Sequence, residues 1–181
     1  ACVPPLRQCL RRDAATALRA LRDAMSTAGL TGHVHSAFRS FRTQCEVFRE
    51  WSRGEGGGFC HATTSSAIAG HSQHQLGTAA DVFSASWLRG GYRFRDGFGC
   101  SVAGRWLADH AWTFGFVLPY PLHPDHRAPA SDCQARPEAS DAVDPRTGYK
   151  HEPWHLRYIG RDHAARFRAA WAASEIGRAH V

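Results

Sequence analysis

Leu10, Leu18, Leu21 and Met25 recur near helical spacing with arginines between them, and Gly29 closes the run. Residues from about 8 to 28 therefore read as an amphipathic helix. His33-Val34-His35-Ser36-Ala37-Phe38 alternates with period two and predicts a strand. Thr43 to Trp51 predicts a second helix with Val47, Phe48 and Trp51 on one face, and Gly54 to Gly58 with the Ser/Thr-rich stretch through Ser66 predicts a loop. Gly77 to Phe83 reads as a strand, Ser101 to Trp112 as a helix carrying Val102, Trp106, Leu107 and His110, and Phe114 to Tyr120 as another strand. Residues from about 121 to 148 hold five of the nine prolines and read as a long irregular insertion. Trp154 to Ile159 predicts a last strand, and Arg161 to Ala173 a closing helix with Ala165, Phe167 and Trp171 inward. Helices and strands mix without a βαβ rhythm, which points to an α+β fold.

The 181 residues suit one domain, expected over 1–174, with residues 1–29 as its helical N-terminal segment. Hydrophobic residues at 43% can fill a core, and no apolar run is long enough to span a membrane. The net charge of +6 comes almost wholly from arginine, since Lys150 is the only lysine. The arginines are scattered rather than grouped with aromatics, so the charge favours anionic surroundings without the footprint of a nucleic-acid binder. No nucleic-acid partner is expected, and the chain is expected to be a monomer.

Cysteines stand at 2, 9, 45, 60, 100 and 133 with no C-x-x-C pair. An even count without metal spacing favours three disulfides and an oxidising compartment. Pairing of neighbours is expected: Cys2–Cys9, Cys45–Cys60 and Cys100–Cys133. An exported protein follows, with no signal peptide in this chain because no basic region followed by an apolar one opens it. The tail from Glu175 to Val181 matches the in-frame translation of a sequencing adapter and is set aside as an artefact.

Two segments carry chemistry: Ser72-Gln73-His74-Gln75-Leu76-Gly77-Thr78-Ala79-Ala80-Asp81 and His151-Glu152-Pro153-Trp154-His155. A catalytic zinc site needs three N or O ligands, an open position for water and a nearby base. His74, Asp81 and His155 supply the ligands and Glu152 the base. The second segment also satisfies H-E-x-x-H, a motif that places both histidines on one helical face. Pro153 opposes that reading, because the residue before a proline is pushed out of the α region. His33, His35, His61, His110, His123, His126 and His163 are assigned to surface or core, and His71 and His151 flank the two segments.

Together these residues resemble the zinc D-alanyl-D-alanine carboxypeptidases of the VanY-like type, in a superfamily with lysostaphin-type peptidases and hedgehog domains. The motif S-x-H-x-x-G-x-A-x-D is met by Ser72, His74, Gly77, Ala79 and Asp81, and E-x-W-H by Glu152, Trp154 and His155. A third element is met by Phe38-Arg39-Ser40 followed by Gln44. The resemblance implies a small, mainly antiparallel sheet with flanking helices and one Zn2+ in a cleft, held by His74, Asp81 and His155. It implies Glu152 as general base, Arg39 facing negative charge, and Gln44, Ser72 and Trp154 contacting substrate. The implied substrate is a peptidoglycan stem peptide ending in D-alanine. The alternatives are an endopeptidase cutting inside the stem and a hedgehog-type module that binds zinc without hydrolysis.

Overall fold

In the computed structural model the residues described are 2–3, 8–53, 58–91, 97–121 and 143–173. Two short strands, β1 (Cys2–Val3) and β2 (Gln8–Cys9), pair antiparallel and lead into helix α1 (Arg12–Thr27). The periodicity read from the sequence is the buried stripe of α1: Ala14, Ala15, Leu18, Leu21 and Met25. The Asp13 carboxylate accepts from the Ala14 amide in the first turn, and Gly29, at φ 75°, lets the chain leave the helix. Gly32 follows at a close approach, where a Cβ would stand 2.9 Å from the Met25 sulfur.

Four strands form the main sheet: β3 (Gly32–Ser36), β4 (Ala79–Ser84), β5 (Phe116–Val117) and β6 (His155–Tyr158). Their order is β3-β4-β6-β5, and every neighbouring pair is antiparallel. All six residues of β4 are buried, as its place between two strands requires. The helices α2 (Phe41–Arg53), α3 (Phe59–Ser65), α4 (Ala85–Arg89), α5 (Val102–His110) and α6 (Arg161–Ala173) flank the sheet. Leu18, Leu21 and Met25 join Val82, Phe83, Phe98, Leu107, Phe116 and Leu156 in one core. Each such side chain contributes roughly 1.5–3 kcal/mol on full burial. The architecture is the expected α+β one. Among the described residues no helix is long and apolar enough to cross a membrane.

Several expectations are corrected. The segment read as a loop through Ser66 holds α3, because the glycines end at Gly58 and Phe59 then packs edge-on to Phe48 at 5.5 Å. The strand expected over Phe114 to Tyr120 shrinks to Phe116–Val117. Ala111–Phe114 instead forms a 3-10 turn that Gly115 closes at φ 88°. α6 has the expected bounds but a different inner face: Ala164 is buried, whereas Ala165 and Phe167 are exposed. Phe167 stacks on Trp171 instead. Cys45 and Cys60 are free thiols on α2 and α3, so the expected bridge between them does not form. Cys9 and Cys100 are disulfide-bonded, and the expected partners Cys2 and Cys133 have side chains outside the described residues. Most of the proline-rich insertion, with His123 and His126, and the tail from residue 175 also lie outside them.

Candidate metal centre and active site

Three elements deliver three side chains to one point. A 3-10 turn, Gln73–Leu76, precedes β4, and the Ser72 hydroxyl caps it by accepting from the His74 amide at 3.3 Å. Gly77 ends the turn in the left-handed region at φ 66°, its amide bonded to the His74 carbonyl, so His74 points inward instead of continuing along the strand. Asp81 lies on β4 directly opposite His155 on β6. A register shift between Val34 and Ser36 beside Asp81 marks a bulge in β3, and Ala37 follows it. All three side chains are buried, and their candidate ligand atoms lie within 4.8 Å of one another.

The hydrogen bonds around this trio leave vacant lone pairs. His74 sets Nδ1 2.6 Å from the Ala37 carbonyl, which only an N–H can satisfy. Its buried Nε2 has no hydrogen-bond partner and lies 3.5 Å from Asp81 Oδ2. His155 sets Nε2 3.1 Å from the Gln73 side-chain oxygen and Nδ1 3.2 Å from Asp81 Oδ1. In the neutral ring that donates to Gln73, Nδ1 is an acceptor facing a carboxylate, a contact that a cation between them relieves. Burial pushes the Asp81 carboxyl up, but the electrostatic pull of His74 and His155 beside it holds it well below the ordinary range. Two imidazole nitrogens and an ionised carboxylate are a donor set that fits a divalent metal.

Glu152 stands beside this point, with Oε2 3.7 Å from His155 Nδ1. Pro153 begins a turn in which the His155 amide donates to the Glu152 carbonyl, and β6 starts at His155. His151 is thereby kept out of the cluster, its Nδ1 instead 3.2 Å from the Tyr120 carbonyl. Burial pushes the Glu152 carboxyl up to about 7, with His155 and Arg39 pulling against it and Asp81 adding to it. Arg39 points to the same place, its guanidinium 3.7 Å from Asp81 Oδ2 and donating to the Gln44 side-chain oxygen at 3.0 Å. Burial lowers its pKa, while Asp81 and Glu152 raise it. Its Nε is buried with no partner.

The remaining residues singled out from the sequence do other work in this arrangement. Gln44 is fully buried, its amide donating to the Ser66 hydroxyl at 3.1 Å and the Ala67 carbonyl at 2.7 Å. Trp154 stacks on Phe83 at 5.6 Å within the core. Ser72 caps the turn and lines a cleft of about 480 Å3 together with Gln73, Tyr120, Tyr149 and Arg157. His71 also lines that cleft. Sequence reasoning missed Gln73, which orients His155, and Tyr120, whose ring packs against His155 at 5.0 Å. Burial raises the Tyr120 pKa, with Glu152 and Tyr149 adding to it, so its hydroxyl stays protonated. Gln73 lies inside a motif but at one of its variable positions, and Tyr120 carries no motif signal at all.

The sequence profile described as "VanY: D-alanyl-D-alanine carboxypeptidase" matches residues 7–131. The chain belongs to this family. The matched stretch holds Arg39, Gln44, His74 and Asp81, and the pairing of β6 with β4 adds His155 and Glu152 from beyond it. The chain is 32% identical over 154 residues to the "Putative carboxypeptidase YodJ" of Bacillus subtilis (strain 168), covering 84% of this chain and 47% of that protein. It thus spans about half the length of that relative. Among solved structures, the LdcB LD-carboxypeptidase superposes with a TM-score of 0.66 at 29% identity, over 89% of this chain and 64% of that one. A vancomycin-resistance D,D-pentapeptidase VanY mutant in complex with Zn(II) shares the fold, with a TM-score of 0.64 at 23% identity over 92% of this chain and 82% of that one.

Proposed function

We propose that the chain is a zinc carboxypeptidase that removes the terminal D-alanine from peptidoglycan stem peptides, working outside the cytoplasmic membrane where that substrate lies. One observation carries the reading. The unpartnered Nε2 of His74, with its Nδ1 committed to Ala37, converges with Asp81 and His155 beside a free carboxylate, Glu152. Membership of the carboxypeptidase family supports it, and a zinc-bound VanY of the same fold supports the choice of metal.

His74, Asp81 and His155 would hold the ion. When bound, it supplies Lewis acidity, lowering the pKa of a water and polarising the scissile carbonyl. Glu152 takes the proton of the attacking water on its carboxylate and returns it to the nitrogen of the departing D-alanine. Arg39 keeps its charge and donates to the oxygen that becomes negative, or to the substrate's terminal carboxylate. Gln44 acts on Arg39 and not on the peptide, because its amide is consumed by Ser66 and Ala67 while its oxygen accepts from the guanidinium. Ser72 sets the turn that aims His74. Trp154 seats the turn between Glu152 and His155 against Phe83.

Retention of Glu152 beside the trio argues against a binding module of hedgehog type, for which a base has no task. The likeness to the LdcB LD-carboxypeptidase favours a second reading, cleavage after an L-centre. The test is D-alanine release from matched peptides ending in D-Ala-D-Ala and in an L-residue followed by D-alanine, before and after chelation and zinc return. Metal-dependent release from the first peptide is expected. Preference for the second peptide transfers the reading to the L,D bond, and equal cleavage of C-terminally amidated peptides transfers it to an endopeptidase. Release that survives full chelation overturns the reading.

A further inference from the structure

Arg157 stands two residues after His155 on β6, so both side chains leave the same face of the sheet. Their partners across β4 are Asp81 for His155 and Ala79 for Arg157. The first cross-strand pair builds the metal site. The second sets a single methyl group opposite a guanidinium on the β4 side, while Val117 of β5 lies across from it on the other. The cleft of about 480 Å3 opens there, with Arg157, Tyr120, Tyr149 and Gln73 in its walls. Gln73 and Tyr120 also touch His155, which makes the cleft continuous with the metal centre.

Arg157 is half-buried, and its guanidinium has no hydrogen-bond or ion-pair partner among the described residues. The other arginines near the site are engaged: Arg39 with Gln44 and Asp81, Arg146 with Asp144. Among the described residues no Asp or Glu lines the cleft. A planar donor fork in a cleft that Tyr120 and Tyr149 also line, short of an acceptor, matches a carboxylate in geometry and charge, and partial desolvation strengthens the match. The cleft is far larger than one alanine residue. If a single D-alanine leaves, this volume belongs to the peptide on the acyl side of the scissile bond.

We propose that the cleft is an acyl-side subsite in which Arg157 selects a side chain ending in a carboxylate. The proposal rests on the carboxypeptidase reading and deepens it by naming the substrate class. It is tested with three peptides ending in D-Ala-D-Ala that differ only at the residue before the dialanine, whose side chain ends in a carboxylate, a carboxamide or an amine. The readouts are kcat/KM and equilibrium binding to the zinc-loaded protein by calorimetry. The carboxylate peptide is expected to be preferred over the carboxamide by about tenfold or more, and the amine to be the poorest, as a charge-assisted hydrogen bond in a half-buried site implies. In Arg157→Met the carboxylate-to-carboxamide ratio should fall close to one, and Arg157→Lys should keep part of it. A ratio near one in the unaltered protein, or one that survives Arg157→Met, overturns the proposal. So does a loss in Arg157→Met of discrimination between free and amidated C-termini, since Arg157 would then hold the terminal carboxylate. If none of the peptides is hydrolysed the carboxypeptidase reading fails, while the binding ratios still decide the role of Arg157.

Discussion

The Nδ1 of His74 lies 2.6 Å from the carbonyl oxygen of Ala37, a contact between residues 37 apart in the chain. That contact decides which nitrogen of the ring is free. Because a carbonyl only accepts, Nδ1 carries the proton and Nε2 offers its lone pair toward Asp81, as a metal ligand must. The bulge that ends β3 beside Asp81 brings Ala37 to this position, so a backbone irregularity in one strand fixes the chemistry of a side chain next to another.

Ligand and base should separate cleanly. Glu152→Gln keeps the shape of the side chain and removes its ability to take a proton. Zinc content by elemental analysis should be unchanged, while turnover falls roughly 100-fold or more. Loss of zinc from this variant would make Glu152 a ligand and dissolve the assignment of roles.

The histidines give the complementary test. His74→Ala or His155→Ala removes one of three donors and should lower zinc affinity steeply, measured by competition with a chelator of known affinity. His151→Ala should leave affinity unchanged, since its Nδ1 is turned toward the Tyr120 carbonyl and the ring stands outside the cluster. Zinc loss on His151→Ala would restore the helical H-E-x-x-H arrangement that Pro153 argues against.

The candidate ligand trio was legible because its residues sit in short motifs whose order and spacing survive as written text. The surroundings were not, because they are made through space. Gln73 reaches His155 across 82 positions, and Tyr120 meets the same ring from the strand-to-insertion junction. The fold divides in the same way. α1 and α6 are long enough for period to show, whereas the seven-residue α3 lies in a Ser/Thr-rich stretch whose composition signals a loop. Its stability comes from Phe59 packing on Phe48, a contact no local pattern announces. The even cysteine count misled for a related reason: it cannot tell that Cys45 on α2 and Cys60 on α3 remain free thiols.

Those two thiols should therefore react. Cys60 is exposed and Cys45 partly so, and alkylation of the native protein without reductant should modify Cys60 first. Mass spectrometry of the digested adduct reads the sites directly. Protection of both until reduction would reinstate the bridge between them.

The turn that carries Tyr149 should respond to acid. Hydrogen bonds from Arg146 hold the buried Asp144 carboxyl below its ordinary value, with burial acting in the opposite direction. A depressed carboxyl stabilises the fold above its unfolded pKa of about 3.9, and that contribution fades as pH falls through the lower, folded value. Amide exchange across residues 143–150, measured between pH 6 and pH 3 and corrected for intrinsic rates, should rise at the acid end. Asp144→Asn should raise exchange at every pH and flatten this dependence. An unaltered pH dependence in the variant would assign the acid response to another group.

Gln44 should be worth more to Arg39 than to the peptide. Its fully buried amide satisfies Ser66 and Ala67, and its oxygen receives the Arg39 guanidinium. Gln44→Leu nearly preserves volume but strands those partners, at a cost of about 1–3 kcal/mol for each group left unsatisfied in the interior. Urea unfolding of the zinc-loaded protein should register that loss as a lower midpoint. Arg39 would also lose the acceptor that holds it beside Asp81, so turnover should fall with zinc content unchanged. Gln44→Glu offers the same oxygen to Arg39 but no donor to the Ala67 carbonyl. It should recover more of the turnover than of the stability, which separates the positioning of Arg39 from the packing of α2. If Gln44→Leu kept full turnover while losing stability, Arg39 would be held without it, and Gln44 would serve the fold alone.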